Sequence, residues 1–162
     1  MDPFSHALYG GLISRNRQTF ILGFIFGALP DLVLVTLSPR QAFEIFVTSS
    51  AQLPHYYIIL YRYLHSLLTA GLIYLFLSLF FPRYRVFALP YLFHIIVDIF
   101  THCGQYATRF FYPLSQISIC GYSYEGRYWL WFVNYLIIFG CYYYKYQHAP
   151  SKNLPSSRSS RS

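Results

Sequence analysis

Charge is what this sequence has least of. Lys+Arg number 12 and Asp+Glu 5, so charged residues make up 10% of the 162, against about 25% in a typical soluble domain. That scarcity excludes an ordinary water-soluble domain, a disordered chain and a charged coiled coil. Cysteine is also sparse, with 3 in the chain and no C-x-x-C pair, which excludes a thiolate zinc site and a small disulfide scaffold. Cys103 and Cys120 can bridge one loop if that loop faces an oxidising compartment; three unpaired thiols is the reading the sequence favours. No Gly-x-Ser-x-Gly elbow is present, so a serine hydrolase is unsupported.

Apolar and aromatic residues fill the space. Hydrophobic residues reach 56%, with 18 Tyr and 16 Phe, and a lipid-embedded domain fits that composition. The net charge of +7 does not point to nucleic acid, because the basic residues sit at the ends of apolar runs rather than in a polar patch.

The apolar runs are Phe4–Ser14, Thr19–Leu37, Tyr56–Phe81, Val86–His102 and Tyr128–Tyr146, with the more polar segment Ser38–His55 between the second and third. Asp2-Pro3 reads as a helix cap with proline in the first turn. Gly27-Ala28-Leu29-Pro30 is a poor cleavage site, so the first segments are expected to stay in the mature chain. The predicted fold is an all-α polytopic transmembrane bundle of four to five membrane-embedded helices. The first two form a short hairpin with Arg15-Asn16-Arg17 at its tip. Residues 1–146 are read as the embedded domain and 147–162 as a disordered Ser/Arg-rich tail.

Charge sets the expected orientation. Arg15, Arg17, Arg83, Arg85, Lys145, Lys152, Arg158 and Arg161 fall on one side, and Arg40, Arg109 and Arg127 on the other, with Arg62 just inside the span. The richer side is read as cytoplasmic, with the C-terminus on it, in the inner membrane if the source is prokaryotic. Tyr56-Tyr57, Tyr128-Trp129-Leu130-Trp131 and Tyr142–Tyr144 read as interfacial aromatic belts.

Ionisable groups inside apolar segments are expensive and functional by default. Counted from the basic turns at about 1.5 Å per residue, His6, Asp31, His65, His94, Asp98 and His102 rise roughly 14–27 Å from the basic face, so four segments contribute to one layer. His94, Asp98 and His102 recur every four residues, and Arg62, His65 and Thr69 are expected on one stripe of a continuous helix. Neutral imidazoles and carboxylates suit a divalent ion, Zn before Mn or Fe. A lone imidazole is more often a hydrogen-bonded interior group, which is the reading for His55 and His148. The metal-ligand set is His6, Asp31, His65, His94, Asp98 and His102. The catalytic set is Asp98 and Asp31 as proton acceptors and Arg62 as a clamp on a phosphate oxygen. Ser66 is read as a hydrogen-bonding support rather than a nucleophile.

These residues sit in motifs with a family resemblance. Met1-Asp2-Pro3-Phe4-Ser5-His6-Ala7-Leu8-Tyr9-Gly10, Gly27-Ala28-Leu29-Pro30-Asp31, Tyr61-Arg62-Tyr63-Leu64-His65-Ser66-Leu67, His94-Ile95-Ile96-Val97-Asp98-Ile99-Phe100-Thr101-His102 and Tyr112-Pro113-Leu114-Ser115 occur in the order found in the YdjM-like membrane-bound metal-dependent hydrolases, over about residues 1 to 140. That family is remotely similar to the zinc-dependent phospholipase C and P1 nuclease group. The resemblance implies metal-ligand roles for His6, Asp31, His65, His94 and Asp98, with Asp98 able to bridge two ions. Val33, Tyr61 and Leu64 depart from the family pattern.

The function expected is metal-assisted hydrolysis of a phosphoester or lipid-linked substrate, with the bilayer and a phospholipid as partners and no nucleic acid. The competing readings are a divalent-metal or proton transport protein built on the same ligands, and a non-catalytic relict.

Overall fold

The computed structural model describes residues 2–14, 16–48, 53–122 and 127–148. Arg15, Glu125 and the tail with Lys152, Arg158 and Arg161 lie outside the described residues. Among the described residues the chain is helical, with no strand and one isolated β-bridge between Arg109 and Ser118.

Helix α1 (Pro3–Leu12) starts as expected, with the Asp2 carboxylate accepting from Ser5 N at 2.9 Å and Pro3 in the first turn. Helix α2 (Arg17–Ala28) opens with a reciprocal cap: Thr19 N donates to Asn16 Oδ1 at 3.0 Å and Asn16 N to Thr19 Oγ1 at 3.1 Å. The two helices touch backbone to backbone. A Cβ on Gly10 would stand 2.1 Å from Gly23 O, and one on Gly27 would stand 2.4 Å from His6 O. Only glycine permits that approach, and it sets His6 beside the end of α2.

Pro30 turns the chain into a 3-10 segment, Leu29–Thr36, which carries Asp31 in its first turn. Helix α3 (Pro39–Thr48) packs Ile45 against the cluster of Val33, Leu37, Tyr57, Tyr61 and Tyr106, and its exposed Arg40 donates to Glu44 at 2.8 Å. Helices α4 (His55–Leu64) and α5 (Leu67–Phe80) follow, bent by 55°. A second 3-10 segment, Pro82–Phe87, leads into α6 (Ala88–Thr101), and α7 (Tyr128–Gln147) closes the described chain.

The bend corrects the expectation of a continuous helix over Tyr56–Phe81 and of a shared stripe for Arg62, His65 and Thr69. The helix breaks at His65-Ser66, and groups freed there find new partners. Ser66 caps α5 through Leu68 N at 3.2 Å and donates to Tyr112 O at 2.8 Å, Leu67 N donates to Phe110 O at 2.8 Å, and Tyr91 donates to Leu64 O at 2.5 Å. These bonds replace part of the helix ladder lost at the break, which makes a buried break tolerable. His102 is corrected too: it caps α6 in extended conformation rather than continuing the helix.

Two helical stretches, Arg17–Thr36 and Pro82–Thr101, are long and apolar enough to cross a membrane, and the bent pair α4–α5 makes a third if it counts as one span. Helix α7 has the same 20-residue length but falls outside that class; Asn134, Lys145 and its run of tyrosines lower its apolarity. The interior is polar where a soluble protein would be apolar, with His6, His65, His94 and Asp98 at 1% exposure or less, while Leu79, Phe80, Phe132 and Phe139 stand more than 60% exposed. Large apolar side chains facing outward in such number mark a surface made for lipid or for partners.

Cys103 and Cys120 are disulfide-bonded, which corrects the reading of three free thiols; Cys141 is free and exposed. The bond closes the loop after α6, where Gly121 N donates to His102 O at 2.8 Å and Tyr122 N to Phe100 O at 2.7 Å. Spacing alone could not decide this pairing; the return of the loop onto the end of α6 does.

Candidate metal centre

Three elements deliver the four residues of the centre. Asp31 comes from the first 3-10 segment, His65 from the C-cap of α4, and His94 and Asp98 from one face of α6. One ligand atom from each lies within 4.8 Å of the others. His6, from α1, reaches in from the side.

The spacings are those of a coordination shell. His65 Nε2 and His94 Nε2 are 3.2 Å apart. His65 Nε2 lies 3.4 Å from Asp31 Oδ1 and 3.4 Å from Asp98 Oδ2. His94 Nε2 lies 3.6 Å from Asp31 Oδ2 and 3.2 Å from Asp98 Oδ2. A tetrahedral zinc ion with bonds of about 2.0–2.1 Å holds its ligands about 3.3–3.4 Å apart. The donor set therefore fits a small divalent ion in both chemistry and spacing.

The imidazoles are pre-oriented. His65 Nδ1 sits 3.0 Å from Tyr61 O and His94 Nδ1 sits 2.7 Å from Gly27 O. A carbonyl can only accept, so each Nδ1 carries the proton and each Nε2 offers a lone pair inward. Two ring nitrogens 3.2 Å apart, with two carboxylates beside them, favour a positive charge among them, a metal ion or a proton. The rings are held flat by stacking, His65 on Tyr61 at 3.9 Å and His94 on His6 at 3.6 Å between centroids.

His6 and His102 flank Asp98 rather than joining the quartet. His6 Nε2 is 3.0 Å and His102 Nδ1 3.2 Å from Asp98 Oδ1. The centre is closed on most sides, with His6, His65 and His94 side chains at 0% exposure and Asp98 at 2%. It opens at Asp31, 14% exposed, and His102, 20% exposed.

Of the expected site residues, the structure thus brings Asp31, His65, His94 and Asp98 into one cluster and sets His6 and His102 against it. Arg62 stands apart: among the described residues no ion pair or hydrogen bond joins it to the cluster. Asp2 serves as a cap and Ser66 as a hydrogen-bonding support, as read from the sequence. Sequence reasoning missed the Gly27 and Tyr61 carbonyls. A signal existed for Tyr61, four residues before His65 and so one helical turn away. Gly27 is brought to His94 only by the packing of α2 on α6.

Fold and site together define an all-helical chain with candidate membrane spans and a buried His/Asp cluster able to hold a metal ion. No protein-family model, curated protein or solved structure matches it.

Proposed function

We propose that this chain is a membrane-embedded, metal-dependent hydrolase acting on a phosphoester or lipid-linked substrate, in line with its resemblance to the YdjM-like hydrolases. The observation that carries the reading is the convergence of two Nε2 atoms and two carboxylates at ligand spacing, with both outer Nδ1–H groups already bonded to backbone carbonyls.

His65, His94, Asp31 and Asp98 would hold the ion, and Zn suits this set best among divalent metals. When bound, such an ion supplies Lewis acidity and lowers the pKa of water towards about 7. Asp31, the carboxylate at the opening, accepts the proton of the attacking water. His6 fixes Asp98 through Oδ1, and His102 Nδ1 passes a proton between Asp98 Oδ1 and the exterior. Packing of His94 on His6 and of His65 on Tyr61 keeps bulk water from the closed side.

In the membrane arrangement proposed, α1 and α7 join the three candidate spans as embedded helices. Arg17, Arg83, Arg85 and Lys145 face the cytoplasm, with the C-terminus beyond them. The Cys103–Cys120 disulfide beside His102 then faces an oxidising compartment, and the centre opens on that side.

Metal content of the detergent-purified chain, measured by inductively coupled plasma mass spectrometry, tests the reading. Stoichiometric metal in the wild type, lost in His94→Ala and Asp98→Asn, is expected, together with metal-dependent hydrolysis of a chromogenic phosphodiester. A wild type that carries no metal and binds none when it is added overturns the proposal. Reversible binding with ion flux in liposomes, and no hydrolysis, would assign the same ligands to transport.

A further inference from the structure

Two arginines near the centre have no opposite charge. Arg62 lies on α4, one turn before His65, and its Nε is enclosed without a hydrogen-bond partner. Arg109 comes from the loop after α6. The return of that loop brings the two together: Leu67 N donates to Phe110 O at 2.8 Å, Ser66 Oγ donates to Tyr112 O at 2.8 Å, and the Tyr63 and Tyr112 rings meet edge to face at 4.8 Å. The segments that carry the two arginines therefore lie side by side.

Arg109 donates from Nη1 to the neutral Gln116 amide, and its backbone is pinned by the bridge to Ser118. Among the described residues neither arginine has a carboxylate partner. Among the described residues, Asp31 and Asp98 are taken up by the imidazoles and Glu44 by Arg40. A fold that holds two cations together, with a buried donor unsatisfied, leaves the missing charge to a ligand. Two guanidinium forks from separate elements suit a tetrahedral anion, whose oxygens point in several directions, better than a planar carboxylate.

We infer that Arg62 and Arg109 form an anion site beside the His/Asp cluster that takes a phosphate-type group, a phosphomonoester or phosphodiester, of the molecule to be hydrolysed. The inference rests on the proposed hydrolase reading for the word hydrolysed, but the site itself needs no metal. It assigns Arg62 to recognition together with a second arginine that sequence spacing does not reveal.

The test is calorimetric titration of inorganic phosphate into the full chain in phosphatidylcholine nanodiscs, before and after removal of metal with a chelator. Wild type is expected to bind phosphate in both states. Arg62→Gln and Arg109→Gln each weaken binding about tenfold or more, the loss of a charge-assisted hydrogen bond. The double variant loses less than the product of the two. Arg62→Lys and Arg109→Lys retain part of the affinity, which separates lost charge from lost folding. Arg40→Gln, distant and already paired, binds as wild type does.

Phosphate affinity unchanged in both glutamine variants overturns the site, as does a chelator-treated wild type that binds no phosphate. Nanodiscs doped with phosphatidic acid assign the source: competition with added phosphate identifies a lipid headgroup, and no competition identifies a soluble phosphoester. Arginine-dependent phosphate binding in a chain that never holds metal would refute the hydrolase reading and leave this site standing.

Discussion

Gly27→Ala is the smallest change that should reach the centre. A Cβ at Gly27 would stand 2.4 Å from His6 O, 3.1 Å from His6 C and 3.2 Å from Gly10 Cα. All three are backbone atoms and cannot swing aside. Ordinary contact begins near 3.4 Å, so α1 must part from α2 by about 1 Å in a close-packed interior. Overpacking of this kind costs about 1–3 kcal/mol, against a gain of up to about 1 kcal/mol from alanine's helix preference.

The movement carries His6 with it. Its Nε2, now 3.0 Å from Asp98 Oδ1, would lose that close contact, and the Gly27 carbonyl that holds His94 Nδ1 at 2.7 Å would shift as well. Loss of such supporting contacts typically lowers metal affinity about 10–100-fold. Gly71→Ala is the matched control, because nothing lies within 4 Å of its Cβ position; it should be neutral or stabilising. The assay is thermal unfolding of the purified protein in detergent, beside metal retention against a graded chelator. A Gly27→Ala protein as stable and as well loaded as Gly71→Ala would refute the backbone contact and the positioning role drawn from it.

Tyr61→Phe removes the hydroxyl that donates to Tyr106 O at 3.1 Å but leaves the carbonyl that orients His65. It should cost about 1 kcal/mol of stability and leave metal content unchanged by mass spectrometry. Cys103→Ser opens a link across a separation of 17 residues, and the chain-entropy model puts that near 3 kcal/mol; a lower unfolding temperature, matched by reductant on the wild type, checks it. Acidification should strip the metal, since the nitrogens that bind it must be unprotonated. Retention through mild acid, followed by equilibrium dialysis, would count against imidazole ligation.

Much of the site was legible because polar residues in apolar segments carry their own signal. His6, Asp31, His65, His94 and Asp98 stand out against their neighbours, and counting from Asn16, Arg83 and Arg85 puts them in one layer. What was not legible depended on tertiary partners. Leu64-His65-Ser66-Leu67 contains neither proline nor glycine, so nothing local announces a break; the carbonyls of Phe110 and Tyr112 create it from afar. The same return of the chain pairs Cys103 with Cys120 and brings Arg109 near Arg62, and both escaped a reading made segment by segment. Pro30 was visible as an interruption, but only the structure shows a 3-10 turn that aims Asp31 at the imidazoles.

The break at His65-Ser66 also has a temporal side. Ser66 at the break is met by residues 44 and 46 positions further along the chain, beyond the whole of α5 and α6, and Leu64 O is met by Tyr91 within α6. These partners are synthesised after α4 and α5, so the placement of His65 beside Asp31, His94 and Asp98 is complete only once residues 110–112 have joined the fold.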